Sequence, residues 1–423
     1  MREAGQVPLL RRPVPLAILI GLVAEALFLF RVQVPHKLVF VEVHYVPAAR
    51  TLLALAGPRN TEHPLLGKEL IALGMWLFGD DSFGWRALST LAATAVVTGM
   101  FAIAWLIWGR LRTAALTAVI VLLNFTVFVQ ARIAMLDGFM AAFVVAGVAA
   151  LLWAMRAPGR GAAWRRWLGG AALLGLGVGC KWTALPYLGF AALGFLTARA
   201  VDARKGNRDH WPGLPALPAL LALGLTAALA YFATFAPAFF YADQPLTFST
   251  LLPFQARIFH EQTQVLPHHT YQSSWWTWPL MIRPIWYLYE PADGAQRGIL
   301  MLGNPAMLWS GLIAVPLCLW AGWRDRDLRL AGVAVLWIAS LAMWAVIPKS
   351  LGFFYYYYLS SIWLALPIAG AFQRYGRGRL AHWDESYLIL LLGLFIYFFP
   401  ILSALPLAGP QSFQHWMWLK TWP

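Results

Sequence analysis

Long apolar runs, following one another with little between them, limit what this chain can fold into more than any other feature. A helix needs about 20 mostly apolar residues to cross the hydrocarbon core of a bilayer. Runs of that kind fall near 14–32, 86–108, 113–130, 135–155, 168–182, 183–199, 216–240, 305–323, 329–347, 352–372 and 387–404. The fifth and sixth are short, so a tight bend near Lys181 must part them. The expectation is an all-α polytopic membrane protein with about eleven transmembrane helices, forming one transmembrane domain over residues 1–423. Composition supports this. The chain is 60% hydrophobic and 12% charged, and a soluble domain could not keep that much apolar surface from water.

The net charge of +14 does not indicate nucleic acid, because the basic residues sit in small groups between apolar runs. They read as topology signals. Arg2, Arg11 and Arg12 precede the first run, which is expected to stay uncleaved as the first span. With the N-terminus inside, the inner loops hold Arg110 and Arg112; Arg156, Arg160, Arg165 and Arg166; Arg199, Arg204, Lys205 and Arg208; Arg324, Arg326 and Arg329; and Arg374, Arg377 and Arg379. These are more than half of the 32 Lys and Arg, as the positive-inside rule requires. An odd span count places the C-terminus, with His415, Trp416 and Trp418, outside. Cys180 and Cys318 lie within apolar runs and give neither a disulfide framework nor a metal signature.

Two outer segments are long. In the first, residues 33–85, Pro47 fits the first turn of a helix running to about Leu55. Leu66, Leu70, Leu73 and Leu77 form a stripe expected to lie on the membrane surface, with Lys68 and Glu69 on the wet face. The second, residues 241–304, carries His268, His269, Tyr271, Trp275, Trp276, Trp278 and the embedded Arg283. An interfacial aromatic belt accounts for the tryptophans but not for the paired histidines or the arginine.

Ionisable groups in or beside apolar runs are costly and tend to be functional. Glu42 and His44 follow the first span; they suit a solvated loop or a general base for a hydroxyl acceptor. Glu62 and His63 suit the start of a helix, an active-site acid and base or, with the first pair, a metal site. Arg132 and Asp137 lie at the outer mouth between two spans, where a guanidinium matches phosphate oxygens in a bidentate way. Lys181 interrupts an apolar run and could snorkel. Lys349 precedes four consecutive tyrosines, Tyr355 to Tyr358, more than an anchoring belt needs. One picture joins these. Arg132, Lys181, Arg283 and Lys349, with Tyr356 and Tyr358, bind a phosphate or pyrophosphate at the outer leaflet. Glu42 and Glu62 act as catalytic acids, and His44, His63, Asp137, His269 and Trp276 receive the sugar or acceptor.

These residues also carry a resemblance. Phe-Val-Glu-Val-His-Tyr (Phe40 to Tyr45), Glu-His-Pro-Leu-Leu-Gly-Lys (Glu62 to Lys68), Phe-Gly-Trp-Arg (Phe83 to Arg86) and Ala-Arg-Ile-Ala-Met-Leu-Asp (Ala131 to Asp137) come first. Lys-Trp-Thr (Lys181 to Thr183), the His269–Pro279 stretch and Phe-x-Tyr-x-Tyr-Leu (Phe354 to Leu359) follow. Together, in this order, they resemble the protein O-mannosyltransferase family, within the lipid-carrier-dependent glycosyltransferases of the GT-C superfamily. The resemblance implies a GT-C fold with eleven spans and amphipathic surface helices. It implies inverting transfer of one sugar, mannose in this family, from a polyprenyl-phosphate carrier to an acceptor hydroxyl such as a protein Ser or Thr, on the extracytoplasmic side. It implies no cofactor and no divalent metal, and a lean bacterial form with the site facing the periplasm of the inner membrane. The first-loop acid would be the base, Arg132 would contact phosphate and Glu62 would support the site.

Three departures stand out. Val41 occupies the position of the family's catalytic aspartate, which leaves Glu42 to act as base and makes Val41→Asp an expected gain of turnover. Tyr357 replaces a usual histidine, and residues 241–304 are too few for the β-trefoil domain of eukaryotic members. Other readings remain open: an aminoarabinose-type transferase acting on lipid A, a surface-glycan transferase, an impaired lipid-binding homologue, or a lipid transporter. A transporter fits least, because the ionisable groups gather on one side and no internal repeat is visible.

Overall fold

The computed structural model describes residues 11–206 and 210–423. Arg2 and Arg208, counted above among the inner-loop residues, lie outside them, as does the side chain of Lys205. The chain is a multi-pass membrane protein. Among the described residues, seven helices are long and apolar enough to cross a bilayer, or eight if one bent pair is a single span.

The first apolar run forms α1 (Pro13–Leu29), 17 residues long. Two outer helices follow, α2 (Glu42–Leu53) and α3 (Leu66–Phe78), and then the long α4 (Ser82–Trp108). The third run breaks into α5 (Leu111–Leu122) and α6 (Phe125–Ala131), bent by 61°. Asn124 makes the break: its side chain caps α6 by accepting from Thr126 N, which supplies one of the donors a helix start leaves unpaired. Next come α7 (Leu136–Met155), α8 (Arg160–Cys180), α9 (Leu185–Lys205) and α10 (Ala216–Ala233). The expected bend at Lys181 is present, with the residue extended between α8 and a short 3-10 turn. After α11 (Phe248–Gln262) the chain forms a hairpin of β1 (Ile285–Ala292) and β2 (Ala295–Met301). It ends with α12 (Pro305–Arg324), α13 (Leu328–Ala342), α14 (Tyr358–Trp363), α15 (Ala365–Tyr375) and α16 (Trp383–Leu402). The tenth run is thus two short helices rather than one continuous rod.

Three expectations need correction. α2 begins at Glu42 and carries Pro47 inside it, so the proline does not start the helix. The outer segment 241–304 contains the hairpin, turning through Asp293 and Gly294, both at positive φ. Asp-Gly is the dipeptide favoured where two successive residues need that conformation. The face of α3 expected to be wet is the packed one: Lys68 is 1% exposed, while Leu73, Trp76, Leu77 and Phe78 project outward. Of the leucine stripe, Leu73 and Leu77 are exposed, as expected, while Leu66 and Leu70 are half-buried against the core. The opposite face packs so closely that a Cβ on Gly67 would lie 2.6 Å from Leu136 Cδ2 at the start of α7.

Candidate active site at the outer face

Two polar clusters form where the first outer segment meets the spans. The first centres on Glu42, which is fully buried. Its carboxylate accepts four bonds of 2.8 Å, from Arg86 Nε and Nη2, Val39 N and Ala134 N. Arg86 completes its donor set on the carbonyls of Val32, Pro35 and Lys37. The pair therefore folds the loop between α1 and α2 and ties it to the turn before α7. Glu42 has no lone pair free to receive a proton from an acceptor, so the structure gives the expected base a scaffolding position.

Arg132 also packs against loop backbone. Its guanidinium is buried and donates to the carbonyls of Phe28, Phe30 and Arg31 at the end of α1, over the Phe128 ring. Those carbonyls are the acceptors a helix end leaves open, and they take both Nη1 donors and one Nη2 donor of Arg132.

The second cluster lies at the N-terminal end of α7 and the C-terminal end of α8. Lys181 Nζ donates to both oxygens of Asp137, at 2.8 and 2.9 Å. It also sits 5.6 Å from the Tyr355 ring and 5.4 Å from the Tyr356 ring. His63 and Lys349 lie within electrostatic reach of Lys181, and Glu62 within reach of Lys349. Burial and the nearby charges of Lys181, Lys349 and Lys68 push the His63 imidazole well below its usual range, so it is neutral. Burial and Lys181 pull Lys349 down to about 8, against the attraction of Glu62. Burial, Asp137 and Glu62 raise the Tyr45 hydroxyl, which stays protonated.

The hairpin closes one side. Phe40 stacks on Tyr287 with centroids 4.1 Å apart, and Tyr287 accepts from Gln130 at 3.3 Å. His36 N donates to Asp293 at the hairpin turn, at 3.1 Å. The result is a polar cluster beside aromatic rings, in which half-buried Glu62 and Lys349 lie within electrostatic reach of each other and Lys349 within reach of buried Lys181. Among the described residues Glu62 is restrained only by Asn60 Nδ2 at 2.7 Å, whereas both oxygens of Asp137 accept from Lys181.

The cleft gathers six of the residues singled out from sequence: Glu62, His63, Asp137, Lys181, Lys349 and Tyr356. Tyr358 is buried behind them, close enough to Asp137 to feel its charge, with its hydroxyl unpaired. The other candidates lie elsewhere. His44 is exposed. His269 is exposed, its Nδ1 accepting from Tyr271 N. Trp276 is 62% exposed. Arg283 binds the carbonyls of Thr270, Thr421 and Pro423 and so fastens the C-terminal tail instead of joining the lysines. Tyr357, at the usual histidine position, is fully buried and accepts from Trp337, away from the cleft. Sequence reasoning missed Tyr287, whose signal was the Asp-Gly turn of its hairpin. It also gave no place in the site to Tyr45, which lies one residue past the His44 it singled out.

The helical membrane fold is of the GT-C kind. Two family models match: dolichyl-phosphate-mannose-protein mannosyltransferase over residues 78–205, and the C-terminal four-transmembrane region of protein O-mannosyltransferase over residues 247–326. The polyprenol-phosphate-mannose–protein mannosyltransferase of Mycobacterium tuberculosis is 29% identical, over 91% of this chain and 86% of its own. The Saccharomyces cerevisiae protein O-mannosyltransferase Pmt1-Pmt2 complex, solved bound to its sugar donor, superposes with a TM-score of 0.79 at 12% identity, covering 97% of this chain and 92% of that one. ArnT of Cupriavidus metallidurans, bound to undecaprenyl phosphate, gives 0.59 at 17% identity, over 90% of this chain and 63% of its own. Over these regions the chain is similar to the protein O-mannosyltransferase family.

Proposed function

We propose that this protein transfers one mannose from a polyprenyl-phosphate carrier to a Ser or Thr hydroxyl of a polypeptide, at the periplasmic face of a bacterial inner membrane. The observation that carries the reading is the polar cluster itself, where Lys181, Lys349 and tyrosine rings lie near Glu62, a carboxylate with no ion-pair partner among the described residues. The phosphate of the donor meets Lys181 and Lys349, whose ammonium groups are point charges suited to a phosphodiester. Glu62 takes the acceptor's hydroxyl proton as the oxygen attacks the anomeric carbon. The bond to phosphate breaks on the opposite face, so configuration inverts. The lysines receive the negative charge of the departing polyprenyl phosphate. Asp137 holds Lys181 in place, and Glu42, Arg86 and Arg132 keep the surrounding loops folded. No step needs a cofactor or a Lewis acid: a carboxylate removes the proton and ammonium groups stabilise the leaving group. Activity is therefore expected to persist in EDTA.

The aminoarabinose alternative would require an acid left free for the sugar's ammonium. Asp137 is closed by Lys181, and Glu62 is needed as base. Purified protein supplied with polyprenyl-phosphate mannose and Ser/Thr-rich peptides should add one hexose mass per modified site. Transfer of an amino sugar to lipid A, with none to peptide, would overturn the proposal. Loss of transfer in EDTA with recovery on adding a divalent ion would overturn the metal-independent scheme.

A further inference from the structure

Two lysines are buried among the described residues, Lys68 and Lys181. Lys181 meets a carboxylate; Lys68 meets two backbone carbonyls instead. Its Nζ donates to Asn60 O at 2.7 Å and to His63 O at 2.9 Å. Removing an ammonium from water costs several kcal/mol, so such a placement calls for a reason. The two carbonyls bracket Thr61 and Glu62, the segment that presents the proposed base.

The rest of that loop is fixed to match. Asn60 has a φ of 53°, in the left-handed region that asparagine tolerates better than most residues. This backbone turn accompanies the 2.7 Å bond from Asn60 Nδ2 to Glu62 Oε1. On the other flank, Thr61 donates to Glu261 of α11 at 2.7 and 2.9 Å, and Arg257 holds Glu261 at 2.8 Å. Lys68 itself is anchored, because α3 abuts the start of α7 at Gly67 and Leu136. Asp137 is the next residue, so one rigid contact sets both the Lys181 partner and the support for Glu62.

We propose that Lys68 is a positioning residue, pinning the Asn60–His63 loop so that the Glu62 carboxylate faces the acceptor side of the cleft. This rests on the reading of Glu62 as base. The electrostatics agree. Burial draws Lys68 down to about 7, while Glu62, Glu69 and Glu261 act to hold its proton.

The test uses full-length protein in detergent, with polyprenyl-phosphate mannose and an acceptor peptide. Lys68→Met keeps the aliphatic stem and removes both carbonyl bonds. Its kcat should fall about 10²-fold, the cost of a misplaced catalytic group, with KM for the donor little changed. Lys68→Arg still donates to the two carbonyls and should recover most of the loss. Glu62→Gln is measured alongside. If Glu62→Gln abolishes turnover but Lys68→Met does not reduce it, the positioning role is wrong and the base assignment stands. If Lys68→Met raises donor KM and spares kcat, Lys68 touches the donor and the inference fails. If Glu62→Gln keeps full turnover, the base assignment itself falls, and the inference with it. Should Lys68→Met not fold, Lys68→Gln keeps a polar but shorter side chain that cannot reach both carbonyls; an unchanged kcat there also overturns the proposal.

Discussion

The Glu42 cluster and the Glu62 cluster are a few helix turns apart in sequence, and each pairs acids with bases at the outer face. They differ in saturation. Glu42 accepts four bonds and Arg86 donates through its whole guanidinium. Glu62 has one bond, from a neutral amide, and faces lysines that it does not neutralise. A charge with every partner in place holds structure; a charge left short of partners can take up a ligand or a proton. The sequence motifs around the two acids look alike, and hydrogen-bond accounting is what separates them.

The largest effect should come from the unsaturated side. Glu62→Gln removes the base with almost no change of shape. Turnover should fall by about 10²–10⁴-fold, the usual worth of a positioned general base, while thermal unfolding in detergent stays near wild type. A variant that keeps its turnover would end the distinction between the two clusters. Arg86→Met probes the saturated side and should do the reverse. Stranding a buried carboxylate costs about 3–5 kcal/mol, so this variant should unfold at markedly lower temperature or be recovered in low yield. A stable but inactive Arg86→Met would move that cluster into the chemistry.

A smaller effect tests whether the cleft accepts a base from elsewhere. Tyr45 N donates to Val41 O at 3.1 Å, an i to i+4 relation that places both side chains on one face of α2. Tyr45 feels Asp137 and Glu62, so position 41 borders the cleft while Glu42 turns into its clamp. Val41→Asp in the Glu62→Gln background should recover about 10²-fold of the lost turnover, at the lower end for a general base. No recovery would place the acceptor out of reach of residue 41.

The membrane class and the family motifs were legible because both depend on local sequence: run length for the spans, and ordered short stretches for the resemblance. The convergence of Lys181, Asp137 and Glu62 could be suggested but not separated from Glu42 and Arg132. The partners that satisfy Arg132 are carbonyls, and carbonyls leave no trace in a sequence. Arg283 misled for the same reason, since its partners are Thr270 and the C-terminal carbonyls. Lys68 looked solvated because the leucine stripe was expected on the membrane surface, which left the opposite face to be read as wet. In a bilayer the apolar stripe can face lipid and the polar side can face the protein.

The smallest expected effect is a pH limb. Lys349 lies at the cleft, and burial together with Lys181 lowers it to about 8, with Glu62 pulling the other way. Its charge is therefore present below about pH 8 and lost above. That charge favours an anionic donor, so kcat/KM for the donor should decline as pH rises from 7 to 9. A hydrogen bond to a charged group is worth about 1.5–3 kcal/mol, which sets the decline at roughly tenfold or somewhat more. The limb belongs to kcat/KM because that ratio reports the free enzyme; bound phosphate would hold the lysine's proton and shift the midpoint upward in kcat. Lys349→Met should show the weaker donor use already at pH 7 and lack the limb. Lys68 and Glu69 also titrate near 7, but they sit behind the cleft, so any limb that survives Lys349→Met belongs to them. If wild type and Lys349→Met share one pH profile and one donor KM, Lys349 is not a phosphate contact, and Lys181 alone carries the positive side of the cleft.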